Sequence, residues 1–342
     1  MLTYIARRLL LLPVVVFGVT LLIFAMVQLI NPYKRLSLYV NDAILSRARP
    51  EQFDALIVKY GLDRPVYEQY FGWLKGLARG ELGYSPSAHL MVQDALAKYL
   101  PATAELALFA IIPLVLLGIR MGVYSAVHQN GIGDHATRIM AITGWSLPVF
   151  VAGLLLLCFF SQWFPAGRLG TWTIPILRSA EWKAYTGLHT VDALLNRNWS
   201  IFLDALRHLL LPVITLSYIS WALILRVTRS SMLETLRQDY VTTARAKGLP
   251  ERKVIYRHAQ RNALIPVVTV AGWTVAGLLG GVVITETIFN FPGLGRFAAS
   301  AALQLDIAAV LGFAIFNGVL MVTANLVVDV LYALIDPRVR LE

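Results

Sequence analysis

Long apolar runs without a single charged side chain recur along this chain. Four of them are 22 residues long: Leu9–Ile30, Ile139–Phe160, Ala263–Ile284 and Ile307–Val328. An α-helix needs about 20 apolar residues, at 1.5 Å of rise each, to cross the hydrocarbon core of a bilayer. Each of the four runs therefore predicts a membrane-spanning helix.

Two shorter runs complete the pattern. Leu209–Leu225 has 17 uncharged residues, and Leu106–Ile119 has 14. The second run reaches spanning length only as Tyr99–Val127, which requires Glu105 and Arg120 to snorkel or to face other helices. The pattern as a whole predicts an all-α, polytopic membrane protein with six transmembrane helices.

The composition supports this class. Hydrophobic residues make up 57% of the chain and charged residues 15%, whereas about 25% of a soluble domain is charged. So few charges exclude a soluble enzyme, a disordered chain and a fibrous protein. Because Cys158 is the single cysteine, no disulfide can form within the chain.

The basic residues predict the orientation in the membrane. Arg7 and Arg8 precede the first apolar run and place the N-terminus in the cytoplasm. Six helices then give an N-in/C-in topology in which three further segments face the cytoplasm: 128–138, 226–262 and 329–342. The second of these carries nine Lys or Arg against three acidic residues, and the outer segment 165–204 carries four against three. The net charge of +10 thus reflects the excess of basic residues in the predicted cytoplasmic segments. We expect the lipid bilayer as a partner and no nucleic-acid partner.

The long outer segment carries two apolar stripes at helical spacing. We divide the chain into three regions: an N-terminal transmembrane helix at 1–30, an extracytoplasmic segment at 31–98, and a five-helix core at 99–342. One stripe runs from Phe53 to Tyr60 and is followed by Gly61, a residue suited to ending a helix. The other runs from Tyr67 to Leu77. Both stripes predict short amphipathic helices, which either pack on this chain or dock a partner.

The basic segment 230–262, between the fourth and fifth predicted spans, predicts a helix, a tight turn and a second helix. Apolar residues recur at three- and four-residue steps from Leu233 to Ala244, Gly248 then suits a helix end, and Pro250 suits a helix start. Small residues near the turn let a partner approach the backbone. Two interpretations remain open on the pattern alone: a docking surface for a protein, or a basic loop that rests on anionic lipid.

Several stretches in a fixed order resemble one transporter family. Residues 239–249, DYVTTARAKGL, followed by 261–266, RNALIP, resemble the "EAA" loop of ABC importer permeases. Further stretches agree nearly from end to end: 61–65 GLDRP, 80–83 GELG, 228–233 TRSSML, 286–296 ETIFNFPGLGR and 336–340 DPRVR. The chain is most similar to the dipeptide/oligopeptide/nickel branch, and within it to the B-type dipeptide permease. Two positions depart from the general pattern, because Thr242 replaces an acidic residue and Arg261 replaces a proline.

The resemblance implies a type I importer permease in the cytoplasmic (inner) membrane of a prokaryote. It implies that a coupling helix, which we place near Ala244–Tyr256, docks on a cytoplasmic ATPase. The residues expected in this contact are Asp239, Tyr240, Thr243, Ala244, Arg245, Ala246, Lys247, Gly248 and Leu249. The implied partners are a second homologous permease, two ABC ATPase subunits and an external substrate-binding protein, for which 31–98 is the expected contact.

The energy source and the substrate follow from the same resemblance. The chain has no G-x-x-x-x-G-K-[ST] loop, so we expect it to bind no cofactor and the partner ATPases to bind ATP and Mg²⁺. Short peptides are the implied substrate. Nickel chelates or another small solute of the same branch remain an alternative, and a gradient-driven secondary transporter is a more distant one.

Polar residues within or beside the spans are candidates for the translocation path, because they are costly in a bilayer. They are Glu105, Glu286, Asn325 and Asp329. For each, pairing within the protein or snorkelling is an alternative role. An intramembrane enzyme is not expected, because H-E-x-x-H and G-x-S-x-G are both absent and no histidine lies within a span.

Overall fold

The computed structural model describes residues 2–40, 45 and 49–335. Within them lie sixteen α-helices, which we number in chain order: α1 Leu2–Gln28, α2 Pro32–Arg35, α3 Pro50–Lys59, α4 Val66–Ala78, α5 Val92–Val127, α6 Ile132–Ser146, α7 Val149–Phe160, α8 Ile174–Leu177, α9 His189–Leu195, α10 Trp199–Leu236, α11 Asp239–Ala246, α12 Glu251–Lys253, α13 Gln260–Leu279, α14 Val283–Ile288, α15 Leu294–Leu303 and α16 Ile307–Ile335. A two-stranded antiparallel ribbon, β1 Tyr84–Ser85 and β2 Leu90–Met91, is the exception to the all-α prediction among the described residues.

Four helical stretches in the described part of the chain are long and apolar enough to cross a membrane. They are Val92–Val127, Trp199–Leu236, Glu251–Leu279 and Ile307–Val328. The described apolar part of α1, Pro13–Gln28, is shorter than these. The second predicted span, which rested on the shortest apolar run, is confirmed as part of the 36-residue helix α5.

The third predicted span, Ile139–Phe160, is wrong as one straight helix. It is divided between α6 and α7, whose axes differ by 101°. Leu147 has an extended backbone (φ −81°, ψ 119°) directly before Pro148. A proline disfavours the helical conformation of the residue before it, so the sequence breaks the helix here. The bent pair raises the number of candidate spans among the described residues to five.

The fifth predicted span also ends earlier than expected. It was predicted to run to Ile284, but α13 ends at Leu279. Gly281 follows with φ of +108°, a conformation that an L residue in a helix does not adopt. The short helix α14 then starts a new direction at Val283.

The centre of the molecule is the packing of α5 against α10. The two helices run in the same direction, since Ser217 Oγ donates to Ala110 O and Gly122 lies against Thr228. A Cβ added to Gly118 or to Gly122 would lie 2.7 Å or 2.5 Å from the facing side chain. This G-x-x-x-G spacing brings the two backbones close together. Parallel second and fourth spans are what the predicted topology requires.

The predicted outer segments meet at one end of the bundle, which we call the outer end. The two amphipathic helices predicted there are confirmed as α3 and α4. Tyr70 of α4 is buried, and its hydroxyl lies 3.0 Å from Thr20 Oγ1 of α1. Asp306, just before α16, accepts hydrogen bonds from Ser85 and Ser87. The predicted cytoplasmic segments 128–138 and 226–262 meet at the opposite, inner end.

Candidate functional site: the turn at the inner end

The inner-end turn begins where α10 ends. The apolar pattern from Leu233 to Ala244 predicted one continuous helix, but the chain breaks at Arg237 and Gln238. Gln238 has an extended backbone (φ −74°, ψ 147°) and precedes α11. The structure therefore interrupts the predicted helix, and α11 leaves the long helix as a separate element.

Gly248 forms the tight turn that the sequence predicted. It has φ of +73°, a left-handed conformation that glycine adopts without steric cost. Its amide donates to Arg245 O at 2.9 Å, and the amide of Leu249 donates to Ala244 O. Pro250 then precedes α12, whose first turn contains Glu251. The predicted order of helix, turn and helix is confirmed.

A single coupling helix over Ala244–Tyr256 is wrong. This range holds the end of α11, the turn at Gly248, the three residues of α12 and the beginning of a π-helical turn at Val254–Ala259. The left-handed Gly248 and the extended Pro250 (φ −61°, ψ 137°) cannot belong to a helix interior. The short helix exposed at the inner end is therefore α11.

An apolar cluster packs against the side of the inner-end turn that faces the spans. It joins the end of α5, α10, α11 and the start of the fifth span, and its buried members are Val123, Ala126, Met232, Val241, Ala244, Val254, Ile255, Ala259 and Ala263. Ala244 is 6% exposed, so its small side chain serves packing within this chain. Ala244 thus packs within this chain, and its contact with an ATPase stays a prediction.

The other predicted contact residues lie on the exposed side. Asp239, Tyr240, Thr243, Arg245, Ala246, Lys247 and Gly248 are exposed, and Leu249 is half-buried. Arg245 Nη2 lies 2.7 Å from Glu251 Oε1 across the turn, and this carboxylate raises the pKa of Arg245. Asn262 donates to the Tyr240 hydroxyl at 2.7 Å. The result is a basic rim around a small, exposed stretch of backbone at Ala246–Gly248.

Sequence reasoning missed a buried ion pair next to this surface. Asp134 of α6 is fully buried and accepts from Arg229 of α10 at 2.7 and 2.8 Å. Ser125 of α5 and the amide of Asn130 also donate to Asp134. This Asp134 cluster joins three helices about two turns before the point where α10 ends. Arg229, in the stretch TRSSML, was the one sign of this ion pair in the sequence. Asp134 lies in the predicted cytoplasmic segment 128–138, where nothing in the pattern indicates that an acidic residue is buried.

Glu105, a predicted path residue, is bound within the chain at the outer end. Its carboxylate is 1% exposed and accepts from Arg168 at 2.7 and 2.9 Å. Its other oxygen accepts from the amide and hydroxyl of Thr190, at the start of α9. The carboxylate therefore binds the outer segment 165–204 to α5. This is pairing within the protein, the alternative role that the sequence left open for Glu105.

Glu286 is also bound within the chain. It is fully buried in α14 and accepts from Thr103 Oγ1 of α5 and from the Arg296 amide, each at 2.7 Å. Arg296 lies in the first turn of α15. A carboxylate at the start of a helix is stabilised by the helix dipole and the free amide groups. Glu286 therefore has a structural role that the sequence left open.

The remaining two path candidates lie in the second half of α16. Asn325 is exposed on α16, 18 residues and about 27 Å along the helix from Ile307, and it has no hydrogen-bond partner among the described residues. The side chain of Asp329 lies outside the described residues. No hydrogen bond or ion pair of the described residues joins any two of the four predicted path residues.

Comparison with known proteins agrees with the geometry. The family model for "Binding-protein-dependent transport system inner membrane component" matches residues 89–341. The chain is 42% identical, over 99% of both chains, to a di/tripeptide transport system permease protein of Pseudomonas aeruginosa. It is 38% identical to a dipeptide transport system permease protein of Escherichia coli, with the same coverage. It is 35% identical to an oligopeptide transport system permease protein of Bacillus subtilis, over 99% of this chain and 100% of that one.

These matches cover the inner-end turn, the bent third span and the α5–α10 pair. Members of the family are membrane subunits of transport systems and are not enzymes, and they work with ATPase and binding-protein components in the cytoplasmic membrane. The chain belongs to the family of binding-protein-dependent transport system inner membrane components, as an ABC importer permease.

Proposed function

We propose that the inner-end turn couples this permease to a cytoplasmic ATPase. The observation that carries the proposal is the division of the turn into two sides. Its apolar side belongs to the cluster that joins α5, α10 and the fifth span, and its exposed side presents small residues, tyrosines and cations. A partner that displaces the exposed side displaces the spans attached beneath it.

The packing of the turn makes it suited to transmit motion. Val241 and Ala244 of α11 are buried against the ends of the spans, and close-packed interiors move as units. The Asp134 cluster then ties α10 to α5 and α6. Closure of the ATPases would move these helices together between outward-facing and inward-facing states, as long as the ATPases contact the turn differently in each.

The proposed substrate is a short peptide. The relatives reported above are named as di/tripeptide, dipeptide and oligopeptide permeases, which does not favour the nickel-chelate alternative. A gradient-driven transporter is likewise not favoured, because the matched family is binding-protein-dependent. We propose that the assembly contains a second homologous permease, two ATPases that bind ATP and Mg²⁺, and a binding protein that contacts segment 31–98. This chain itself binds no cofactor.

The test is peptide-stimulated ATP hydrolysis by the reconstituted assembly. Gly248→Trp places a bulky side chain on the exposed turn, where nothing lies within 4 Å of an added Cβ. Gly80→Trp is the matched control, because Gly80 at the outer end has φ of +81° and equally open surroundings. We expect Gly248→Trp to abolish the stimulation and Gly80→Trp to retain ATPase assembly. Equal stimulation in Gly248→Trp and the unmodified protein would contradict the proposal.

A further inference from the structure

A cavity of about 580 Å³ opens at the outer end between the outer segment and the last span. Gln69 and Trp73 of α4 form one wall, and Leu311 and Ile315 of α16 lie at the other. Leu311 and Ile315 are four residues apart on α16, so the cavity lies along about 6 Å of that helix. Its volume falls within the range of small-molecule sites, about 300 to 1,000 Å³.

Charged groups of both signs surround the cavity. Lys59 and Arg64 are the cations, and Glu68 and Glu81 are the acids. None of the four forms an ion pair with another described residue, although all of them line one cavity. Lys59 lies over the Tyr60 ring, 5.5 Å from its centroid. The rim therefore offers separate positive and negative groups, with an aromatic ring beside a cation.

Two buried polar atoms, one in the cavity wall and one behind it, have no hydrogen-bond partner among the described residues. Gln93 lines the cavity, and its Oε1 is buried and accepts no hydrogen bond. Arg35 is not part of the lining and is 5% exposed; its Nη1 donates to Gln28 Oε1 at 2.6 Å and to the lining residue Gln69 at 3.0 Å, and its Nε has no acceptor among the described residues. No described carboxylate pairs with Arg35. A buried charge without a counter-ion and a buried acceptor without a donor are both costly.

The structure assigns this cavity as a binding site for a short zwitterionic peptide. A peptide carboxylate would pair with Arg64 and Lys59, and its ammonium group would donate toward Glu81 and Gln93. The apolar base at Leu311 and Ile315 would hold side chains. This inference rests on the proposed function for the choice of peptide, and it adds a site on the outer face, away from the inner-end turn.

Dialanine binding to the complete permease–ATPase complex in nanodiscs tests the assignment. We expect calorimetry to detect binding of L-alanyl-L-alanine and no binding of its N-acetylated, C-amidated form, which has neither charge. Arg64→Gln and Glu81→Gln should each weaken dialanine binding about tenfold or more, because each removes a charged partner. Arg79→Gln and Asp63→Asn are the matched controls outside the cavity, and we expect them to bind as the unmodified complex does. Equal affinity in the lining and control variants would overturn the assignment.

A second pair of variants separates binding from folding. Gly72 of α4 lines the cavity, and a Cβ added to it would meet no atom within 4 Å. Gly72→Phe should therefore fill the cavity without a steric clash at the helix. Ala78→Phe is its control on the same helix. We expect Gly72→Phe to abolish dialanine binding while Ala78→Phe retains it. Retained binding in Gly72→Phe, or cryo-EM density for a phospholipid in place of dialanine in the unmodified complex, would overturn the assignment.

Gln93→Leu distinguishes a recognition group from an unsatisfied structural one. It should weaken dialanine binding at least about threefold, because it removes the buried acceptor, whereas unchanged affinity with a raised Tm would count against the site. The two proposals can fail separately. Peptide-stimulated ATP hydrolysis that is lost in Gly248→Trp, with no dialanine bound in the cavity, overturns the cavity alone. Dialanine bound in the cavity, with hydrolysis unaffected by Gly248→Trp, overturns the coupling proposal alone.

Discussion

The inner-end turn and the outer cavity place their charges in opposite ways. At the turn, Arg245 pairs with Glu251 on the surface, and apolar residues fill the space beneath. At the cavity, Arg64 and Glu81 stand apart around open space, and the buried Arg35 behind them has no carboxylate partner among the described residues. The difference shows that the proposed coupling surface rests on internal packing, whereas the proposed binding site keeps charged side chains without ion-pair partners among the described residues.

The largest effect that would sharpen this comparison concerns the Asp134 cluster. Arg229→Met leaves the fully buried Asp134 carboxylate without its cation, and we expect the loss of about 3 to 5 kcal/mol of stability. Thermal unfolding of the purified complex measures the change. Arg237→Met, an exposed arginine eight residues further on, is the control. The double variant Arg229→Met with Asp134→Asn should lose less than Arg229→Met alone. An unchanged Tm in Arg229→Met would show that the cluster does not fasten the helices.

The next effect separates buried from exposed small residues on α11. Ala244→Leu overfills the apolar cluster and should cost about 1 to 3 kcal/mol. Ala246→Leu, two residues along, lies on the exposed side and should leave Tm unchanged while lowering peptide-stimulated ATP hydrolysis. Tm and ATP hydrolysis are measured on the same preparations. Should Ala246→Leu destabilise the protein as much as Ala244→Leu does, the division of the turn into two sides is wrong.

A smaller expected effect is the pH dependence of the free energy of unfolding that results from His189 at the outer end. Burial and the nearby Arg168 lower the pKa of His189 from 6.5 to about 4, against the opposing charges of Glu105 and Asp192. Between these two values the unfolded chain binds the proton that the folded chain does not. Stability therefore falls as the pH drops from about 6.5 to 4, by about 1 to 2 kcal/mol from this group.

Chemical denaturation at pH 7.5 and pH 5 measures this dependence. His189→Gln removes the titrating group and should flatten this part of the profile, whereas His135→Gln, an exposed histidine near the inner end, should not. The same pH dependence in His189→Gln and the unmodified protein would contradict the assignment to His189.

The smallest effect belongs to the surface ion pair of the turn. Glu251→Gln removes the partner of Arg245, but both side chains are largely exposed, so stability should change by less than about 1 kcal/mol. The change should shrink further in 0.5 M salt, because salt screens exposed charges. A loss as large as that of Arg229→Met would place this pair among the structural contacts. Tm at low and high salt is the measurement.

The sequence predicted what depends on local pattern. Helices α3, α4, α5, α10 and α16 follow runs and stripes that can be read directly, and the turn at Gly248 follows from glycine chemistry. Pro148 inside the third apolar run indicates a kink, but the angle between α6 and α7 could not be predicted, because it depends on how α7 packs against α10 and α14.

What the sequence could not predict depends on long-range partners. Glu105 meets Thr190 85 residues away, and Glu286 meets Thr103 183 residues away. Each contact gives a candidate for the translocation path a partner within this chain. Ala244 was assigned to a partner surface for a similar reason, since its burial results from Val254 and Met232 of other elements. Periodicity shows which side of a helix is apolar but not which neighbour covers it.

Site-specific cross-linking shows whether the inner-end turn contacts the ATPase. In a Cys158→Ala background, Lys247→Cys would carry a short thiol-reactive photo-cross-linker in the assembled transporter, and Lys75→Cys at the outer end would be its control. The account predicts a cross-link from position 247 to the ATPase subunit whose yield changes when ATP is bound, and none from position 75. An ATPase that assembles and hydrolyses ATP with no cross-link at position 247 would contradict it.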